Sequence, residues 1–241
     1  MDMNIRLEQP QDYTAVERLT LAAFKTFVFP DGSRPERAEE HYLAHVLRSS
    51  PAFVPELDFV GEIVSEAGGK ASGKADDETD SEKDSKAISE ADAERESKTN
   101  SETCGGTDSE IVANIMYTIS KVIRPDGAEL ETLTFGPVSV KPELHGQGLG
   151  AEIVRHSLER AREMGYGAVI IVGHPTYYPR FGFRPGSDFG LTMPDGSMIE
   201  ALMALELIPG YLGEDGGKWR DDEAYDIDKD AFEAWNAQFT A

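Results

Sequence analysis

A glycine-rich segment between a strand and a helix is the part of this sequence best suited to hold an anion. Residues 145–150 read His-Gly-Gln-Gly-Leu-Gly and lead into a helix predicted over 148–164. Closely spaced glycines at a helix start let several backbone N–H groups converge on one anion, and the helix dipole adds to the attraction. The preceding strand, predicted over 133–140, contains Gly136-Pro137. Because proline cannot donate to a sheet ladder and glycine weakens it, we expect a bulge there that frees backbone groups for other partners.

The glycine spacing admits two interpretations. Gly146, Gly148 and Ala151 satisfy the dinucleotide-binding pattern of two glycines and a third small residue. That pattern places its first glycine directly after the strand and an acidic residue about 20 positions on. Here a charged turn, 141–144, intervenes, and the next predicted strand, 168–172, is followed by Gly-His without a carboxylate. A nicotinamide dinucleotide is therefore the weaker interpretation.

A second segment, 173–183, favours the other interpretation, a pyrophosphate of a different ligand. Together the two segments resemble those of the GNAT-type N-acetyltransferase superfamily, most closely its YhbS-like branch. Gly148 and Gly150 match the glycines of the family's Arg/Gln-x-x-Gly-x-Gly/Ala loop. The family's aromatic-Tyr-x-x-x-Gly-Phe segment is matched by Tyr178, Gly182 and Phe183. His145 is a departure, since it stands where the family has Arg or Gln.

The resemblance implies an enzyme that transfers an acetyl group from acetyl-CoA, its co-substrate, to a primary amine by direct attack. The acceptor would be a small-molecule or peptide amine. Tyr178 would protonate the departing CoA sulfur, and a free backbone N–H near Val138 would stabilise the oxyanion. The residues implied to bind acetyl-CoA, through the loop and through pairing of its pantetheine arm with the strand, are Val138, Ser139, Val140, His145, Gly146, Gln147, Gly148, Leu149 and Gly150.

Other titratable residues have a structural alternative beside each functional one. Glu131, at the start of the bulged strand, could deprotonate an ammonium substrate or be a solvated strand-end carboxylate. His174 could relay a proton or be a hydrogen-bonded structural histidine. His41 and His45 have a helical spacing that suits metal ligands, but neither cysteine nor a fixed acidic third ligand accompanies them. We therefore predict no metal site.

The elements that must position these residues follow from the hydrophobic pattern. The order of these elements predicts an α/β fold with a mixed, mostly antiparallel central sheet and a parallel strand-helix-strand unit for the cofactor. Predicted strands cover 5–7, 59–64, 111–120, 133–140, 168–172, 184–191 and 199–207. The first predicted helix begins after Asp12, its N-cap. Further predicted helices cover about 35–47, 148–164, 177–181 and 231–235.

The composition predicts one domain with an insertion. Residues 65–110 contain 14 acids, 6 bases, no aromatic residue and a single large aliphatic side chain, Ile88. Such a segment cannot bury enough apolar surface to offset the entropy of ordering, so we predict a disordered acidic insertion in the turn between two strands. The acetyltransferase domain would then cover 1–209, and 210–241 would be an acidic C-terminal extension that packs back on it.

Charge and cysteine content exclude several classes of protein. The formal net charge of −22 argues against binding to nucleic acid or to anionic membranes. No apolar run approaches the ~18–20 residues of a membrane span, and the start lacks the pattern of a signal peptide. The single cysteine, Cys104, excludes an internal disulfide. We expect a cytoplasmic protein that is a monomer or a homodimer.

Two other classes of function stay open on the sequence alone. One is a catalytically silent module with the same fold that binds acyl-CoA as a sensor or interaction partner. The other is an interaction protein whose acidic insertion does the work while the folded part is a scaffold. The intact Tyr178 and glycine loop favour the enzyme over the silent module.

Overall fold

The computed structural model describes residues 2–26, 38–64 and 109–239, and all elements below belong to that part of the chain. Its strands are β1 (Asn4–Leu7), β2 (Phe59–Val64), β3 (Ser109–Ile123), β4 (Glu129–Val140), β5 (Ala168–Val172), β6 (Arg184–Pro185), β7 (Leu191–Thr192), β8 (Leu202–Glu206) and β9 (Gly217–Arg220). Its α-helices are α1 (Tyr13–Lys25), α2 (Glu40–Leu47), α3 (Leu149–Glu163) and α4 (Lys229–Asn236).

The strands form one mixed sheet in the order β1-β2-β3-β4-β5-β8-β6. The pairs β1–β2, β3–β4, β5–β8 and β6–β8 are antiparallel, and β4–β5 is parallel with α3 as the connection between them. β9 adds to the end of β3 and pairs with β7. The prediction of a mostly antiparallel α/β sheet with one parallel strand-helix-strand unit is confirmed.

The parallel pair β4–β5 separates soon after it forms. Leu133 faces Val169 in the one register pair found between these strands, while β4 continues to Val140. The bulge expected in β4 is present, because the β3–β4 register moves by one residue between Ile115 and Tyr117, opposite Gly136-Pro137. The sheet is therefore open along the second half of β4.

The sheet has a core on each face. Successive residues of a strand point to opposite faces, and in β5 the side chains of Val169 and Ile171 pack with α3, whereas Ala168 and Ile170 pack on the other side with β8 and β9. Further along that second face α2 packs against Met116 and the segment after β9. The open edge of β4 is thus bordered by α3 on one face and by α1, α2 and the C-terminal residues on the other.

Two predicted elements differ from the observed ones. The strand expected over 184–191 is two short strands, because the 3₁₀ turn Gly186–Phe189 lies between them and ends at Gly190 with φ +66°. The helix expected over about 35–47 is observed as α2, which begins at Glu40; residues 35–37 lie outside the described residues. The predicted insertion, 65–110, lies outside the described residues except for its last two positions, which begin β3.

A buried ion network joins the first strands and helices. Arg48 Nε and Nη2 donate to the two carboxylate oxygens of Glu8 at 2.8 and 2.7 Å, and Nη1 donates to Glu17 at 3.1 Å. The guanidinium also lies 4.1 Å from the ring centroid of Tyr13. Asp58 is buried beside them; burial, with the hydrogen bond and charge of Glu8, raises the pKa of its carboxyl. Asp58 is therefore held in its neutral form.

The residues after β8 pack on the sheet and on α2. Trp219 of β9 faces Val122 in the register of β3, and Phe232 and Trp235 of α4 contact the rings of His41 and Tyr42.

Among the described residues, every helix is too short or too polar to cross a membrane.

Candidate active site

A cleft of about 770 Å³ follows the open edge of β4. One wall is the second half of β4, and the other is the end of β5 with the 3₁₀ turn Tyr178–Phe181. The glycine loop and the start of α3 line it on one side, and α1, α2 and the residues around β9 line it on the other. The cleft therefore brings together both segments singled out in the sequence.

The open edge of β4 presents the backbone of alternate residues to the cleft. Lys141 N donates to Val112 O at 2.8 Å, so hydrogen-bonded and non-hydrogen-bonded pairs alternate back along the strand from that point. This alternation turns the backbone groups of Ser139 toward β3 and those of Val138 and Val140 toward the cleft. Val138 and Val140 accordingly line the cleft. Ser139 does not: it is buried, and its Oγ donates to Thr20 Oγ1 at 3.2 Å.

The glycine loop has the backbone geometry of an anion cradle. Gly146 and Gly148 have φ of +76° and +91°, a region that favours glycine, and Gly148 is the N-cap of α3. The N–H groups of Leu149, Gly150 and Ala151 lack partners in the helix ladder, because they belong to its first turn. All these residues line the cleft, whereas Gln147 is exposed and does not.

Close packing brings α3 against β4 at Gly150. A Cβ at this position would lie 3.3 Å from Val140 Cγ2 and 3.5 Å from the Tyr177 hydroxyl. His145, where the family has Arg or Gln, turns back on the strand, with its Nε2 donating to Val140 O at 2.8 Å. The side chain of His145 therefore contacts the backbone edge of β4 at the base of the loop.

Tyr178 is held in the middle of the cleft by aromatic packing. Its ring centroid lies 5.8 Å from that of Phe135, the residue before the bulge, and 5.7 Å from that of Phe183. A Cβ on Gly173 would come within 2.4 Å of the Tyr178 ring, so only glycine fits there. Burial, and next the neighbouring Tyr177, raise the pKa of the Tyr178 hydroxyl above its usual range. This phenol therefore remains protonated and able to donate.

Arg180 is a cleft residue that the sequence did not single out. Its guanidinium carbon lies 4.3 Å from the ring centroid of Tyr177, and its Nε donates to Tyr177 O at 2.9 Å. Since the Tyr177 hydroxyl borders Gly150, the stacked guanidinium lies on the side of the cleft where the glycine loop is. The only sequence pattern that could have indicated it is an arginine two residues after a pair of tyrosines, and this pattern is unspecific.

The other titratable candidates divide between the cleft and the rest of the fold. His174 lines the cleft, where Thr176 contacts its Nδ1 through N and Oγ1 at 3.3 and 3.0 Å. Glu131 is exposed and outside the cleft lining, and its carbonyl accepts from Tyr211. His41 is buried with its Nε2 2.8 Å from Asn236 Oδ1, and His45 Nδ1 lies 3.2 Å from Glu17.

Four more cleft residues come from parts of the chain whose pattern carried no functional signal. They are Glu40 of α2, Trp219 of β9, and Asp221 and Tyr225 just after β9. The Tyr225 hydroxyl donates to Gly136 O at 3.2 Å, so it touches the bulge directly. Only the folding of the C-terminal residues against β3 and β4 brings Trp219, Asp221 and Tyr225 to this place.

Part of the chain matches a known protein family. A family model described as an acetyltransferase (GNAT) domain matches residues 76–186. Among curated proteins, the uncharacterised N-acetyltransferase YjhQ of Escherichia coli K12 is 44% identical over 59 residues, which are 24% of this chain and 33% of that protein. The uncharacterised N-acetyltransferase YhbS of the same strain is 35% identical over 70 residues, 29% of this chain and 42% of that protein. The chain thus spans well under half the length of the curated relatives it matches.

Two solved structures share the fold along nearly the whole chain. The GNAT family N-acetyltransferase YhbS from Escherichia coli in complex with CoA matches with a TM-score of 0.64 and 20% identity, covering 94% of this chain and 93% of that chain. A GNAT family acetyltransferase from Brucella melitensis in complex with acetyl-CoA matches with a TM-score of 0.56 and 21% identity, covering 93% and 98%. The fold is that of the GNAT acyltransferases. In the segments that match, the chain is similar in sequence to GNAT-type N-acetyltransferases, YjhQ and YhbS among them.

Proposed function

We propose that this protein is an N-acetyltransferase that moves the acetyl group of acetyl-CoA to a primary amine by direct attack. The observation that carries the proposal is the convergence in one cleft of a glycine cradle, a free strand edge and a protonated tyrosine. The relatives support the activity, since they are named N-acetyltransferases. The complexes of the two related structures with CoA and acetyl-CoA support the co-substrate.

The glycine cradle binds the pyrophosphate of acetyl-CoA. The N–H groups of Leu149, Gly150 and Ala151 at the start of α3 supply hydrogen bonds and the positive end of the helix dipole. Arg180 supplies the positive side chain on this side of the cleft. His145 contributes by fixing the turn between β4 and the loop, because its ring is bonded to Val140 O.

The open edge of β4 binds the pantetheine arm in the way that a sheet edge binds an added strand. Val138 offers both of its backbone groups, and Val140 offers its N–H, because the Val140 carbonyl accepts from His145. The N–H of Val138, directly after the bulge, donates to the thioester oxygen and stabilises the negative charge that develops there. Ser139 is part of the strand that supports these groups and has no contact with the ligand.

Tyr178 donates its phenolic proton to the CoA sulfur as the C–S bond of the tetrahedral intermediate breaks. The substrate enters as an ammonium ion and loses two protons as it becomes the amide. One of them restores the phenol of Tyr178 and the other is released, so the net products are the amide, the CoA thiol and one proton. The raised pKa of Tyr178 keeps the donor protonated at neutral pH. His174, which borders the cleft, is a candidate to carry the amine proton to solvent.

Calorimetric titration with acetyl-CoA, with NAD as the control ligand, tests the co-substrate. Binding of acetyl-CoA alone in the micromolar range supports the proposal, and absence of binding to folded protein overturns it. Thiol release from acetyl-CoA with a panel of primary amines then tests turnover. Binding without turnover on any amine would identify a silent acyl-CoA-binding module instead.

The domain organisation is part of the same proposal. The acetyltransferase domain covers 1–209, the insertion 65–110 is dispensable to it, and 210–241 is an extension of the same folding unit. Deleting 65–108 should leave acetyl-CoA binding unchanged. Loss of binding in a deletion variant that still folds would instead give the acidic insertion a part in the site.

A further inference from the structure

The cleft has two ends on opposite faces of the sheet. Tyr178 packs on Phe135 in the core that contains α3, whereas Tyr225 contacts Gly136 in the core that contains α2. The glycine loop follows Val140, about 13 Å further along β4 at the usual rise of a strand. The cleft therefore passes through the gap between β4 and β5, from the loop and α3 on one face to α1, α2 and the C-terminal residues on the other.

The second end carries two carboxylates in an otherwise apolar wall. Glu40 of α2 and Asp221, on the exposed side of the cleft, line it together with Phe24 and Leu43. Oε2 of Glu40 is shielded from solvent and has no hydrogen-bond partner among the described residues. Burial, and after it the charge of Glu39, raise the pKa of Glu40, which makes its carboxylate a better proton acceptor than usual.

Trp219 adds an independent polar group to this end. Its side chain lines the cleft, the residue is only 2% exposed, and its Nε1–H has no partner in the described part of the chain. An indole N–H can only donate a hydrogen bond, and a buried donor without an acceptor destabilises the protein. The group is therefore available to an oxygen or another acceptor atom of a ligand in the cleft.

We propose that this end of the cleft is the acceptor site, and that its acceptor is a cationic amine that also carries a hydrogen-bond-accepting oxygen. Glu40 and Asp221 attract and hold the ammonium group, and Trp219 Nε1–H donates to the oxygen. This proposal rests on the acetyltransferase function proposed above. It makes the C-terminal residues after β8 determinants of substrate specificity.

The same arrangement prepares the amine for attack. One proton passes from the ammonium to the Glu40 carboxylate, which becomes a neutral carboxylic acid while the amine gains its free electron pair. Tyr225 lies between this pocket and the bulge, with its hydroxyl on Gly136 O. The neutral amine then meets the thioester carbonyl beside Val138, which lies two residues beyond Gly136.

A set of amines of equal length tests the proposed acceptor class. 4-Aminobutanamide carries an ammonium and a carbonyl oxygen, 4-methylpentan-1-amine is its apolar isostere, and 4-aminobutanoate replaces the amide with a carboxylate. With acetyl-CoA at saturation, we expect kcat/KM for the amide to exceed that for the apolar isostere about tenfold, the value of one buried hydrogen bond left unmade. The carboxylate should be the poorest acceptor, because it meets two anions.

Variants assign the effect to residues. Glu40→Gln and Asp221→Asn should each lower kcat/KM at least tenfold for every amine without changing acetyl-CoA affinity. The matched controls Glu56→Gln and Asp215→Asn make the same substitutions at exposed positions outside the cleft lining, and should stay near the wild type. Trp219→Phe should abolish only the preference for the amide, provided that its thermal unfolding shows a folded protein.

The outcomes separate this proposal from the proposed function. Equal kcat/KM for the amide and its apolar isostere, or unchanged kinetics in both carboxylate variants, overturns the acceptor site while the acetyltransferase stands. Saturation-transfer NMR of 4-aminobutanamide needs no turnover, and its signal should be present with the wild type and lost in Glu40→Gln. Failure of acetyl-CoA to bind would overturn the proposed function, and absence of the NMR signal with the wild type would overturn the acceptor site.

Discussion

Replacing Tyr178 with phenylalanine tests the proposed chemistry with the loss of a single oxygen atom. The ring of Tyr178 packs against Phe135, Phe181 and Phe183, with centroid separations of 5.7–6.2 Å, and a phenylalanine ring fits the same space. The hydroxyl makes no hydrogen bond to any described residue, so its removal leaves no unpaired partner in the protein. We expect the free energy of unfolding to change by less than about 1 kcal/mol.

The expected loss of activity follows from the role of the hydroxyl as a general acid. A positioned proton donor contributes about 10²–10⁴-fold to a rate, which corresponds to ~3–5 kcal/mol of activation free energy. We therefore expect kcat to fall by a factor in this range. The dissociation constant for acetyl-CoA should change little, because the glycine loop and the β4 edge hold the co-substrate. Since burial raises the pKa of Tyr178, its ionisation should cause no loss of wild-type activity below about pH 10.

Thiol release under saturating acetyl-CoA measures kcat, and calorimetry measures the affinity for acetyl-CoA. Tyr177→Phe is the matched control, because Tyr177 is the preceding residue, lines the same cleft and lies beside Gly150 instead of the bulge. Its effect should be on affinity and not on kcat. A Tyr178→Phe variant with wild-type kcat would refute the assignment of this residue as the acid.

Three further predictions concern stability and binding of the co-substrate. Because Asp58 has a raised pKa, the folded protein keeps a proton that the unfolded chain releases above about pH 4, so its stability falls as the pH rises from there by at most ~1.4 kcal/mol per pH unit. Asp58→Asn should weaken this pH dependence and stabilise the protein at pH 8, as measured by urea unfolding at pH 5 and 8. An unchanged pH dependence of stability would contradict the assignment. Arg180→Ala should raise the KM for acetyl-CoA about tenfold with little change in kcat, since it removes a cation near the glycine loop. The control Arg184→Ala breaks a surface ion pair outside the cleft and should leave the KM for acetyl-CoA unchanged. In unfolding experiments, Gly148→Ala and its control Gly127→Ala should each lower the free energy of unfolding by about 1–2 kcal/mol, because both residues have positive φ. Only Gly148→Ala should also raise the KM for acetyl-CoA. Equal KM values in the two variants would show that the loop is not part of the binding site.

Local sequence signals were sufficient for the elements at the glycine-loop end of the cleft. The apolar periodicity of α3, the continuous apolar run of β5 and the Gly-Pro pair in β4 each depend on neighbouring residues only, and all three are present as expected. The signals failed at 184–191, which the sequence predicts to be one strand, whereas Pro185 and two glycines permit a turn. Tertiary contacts decided that choice, as they commonly do for short segments.

Within the cleft the same division holds. The sequence alone predicted the glycine cradle and Tyr178, because the chemistry of each depends on residue types at a fixed spacing. It could not show that Ser139 faces β3 while Val138 faces the cleft, since this depends on the register with a strand 25 positions earlier in the chain at Asn114. Nor could it place Glu40 and Asp221 on the same cleft, because they are far apart in the chain and line it together only when the C-terminal residues pack against the sheet. The sequence by itself thus determined the glycine-loop end of the cleft, and tertiary structure decided which groups form its second end, the proposed acceptor site. That end is formed by side chains from separate elements, whose positions no local pattern encodes.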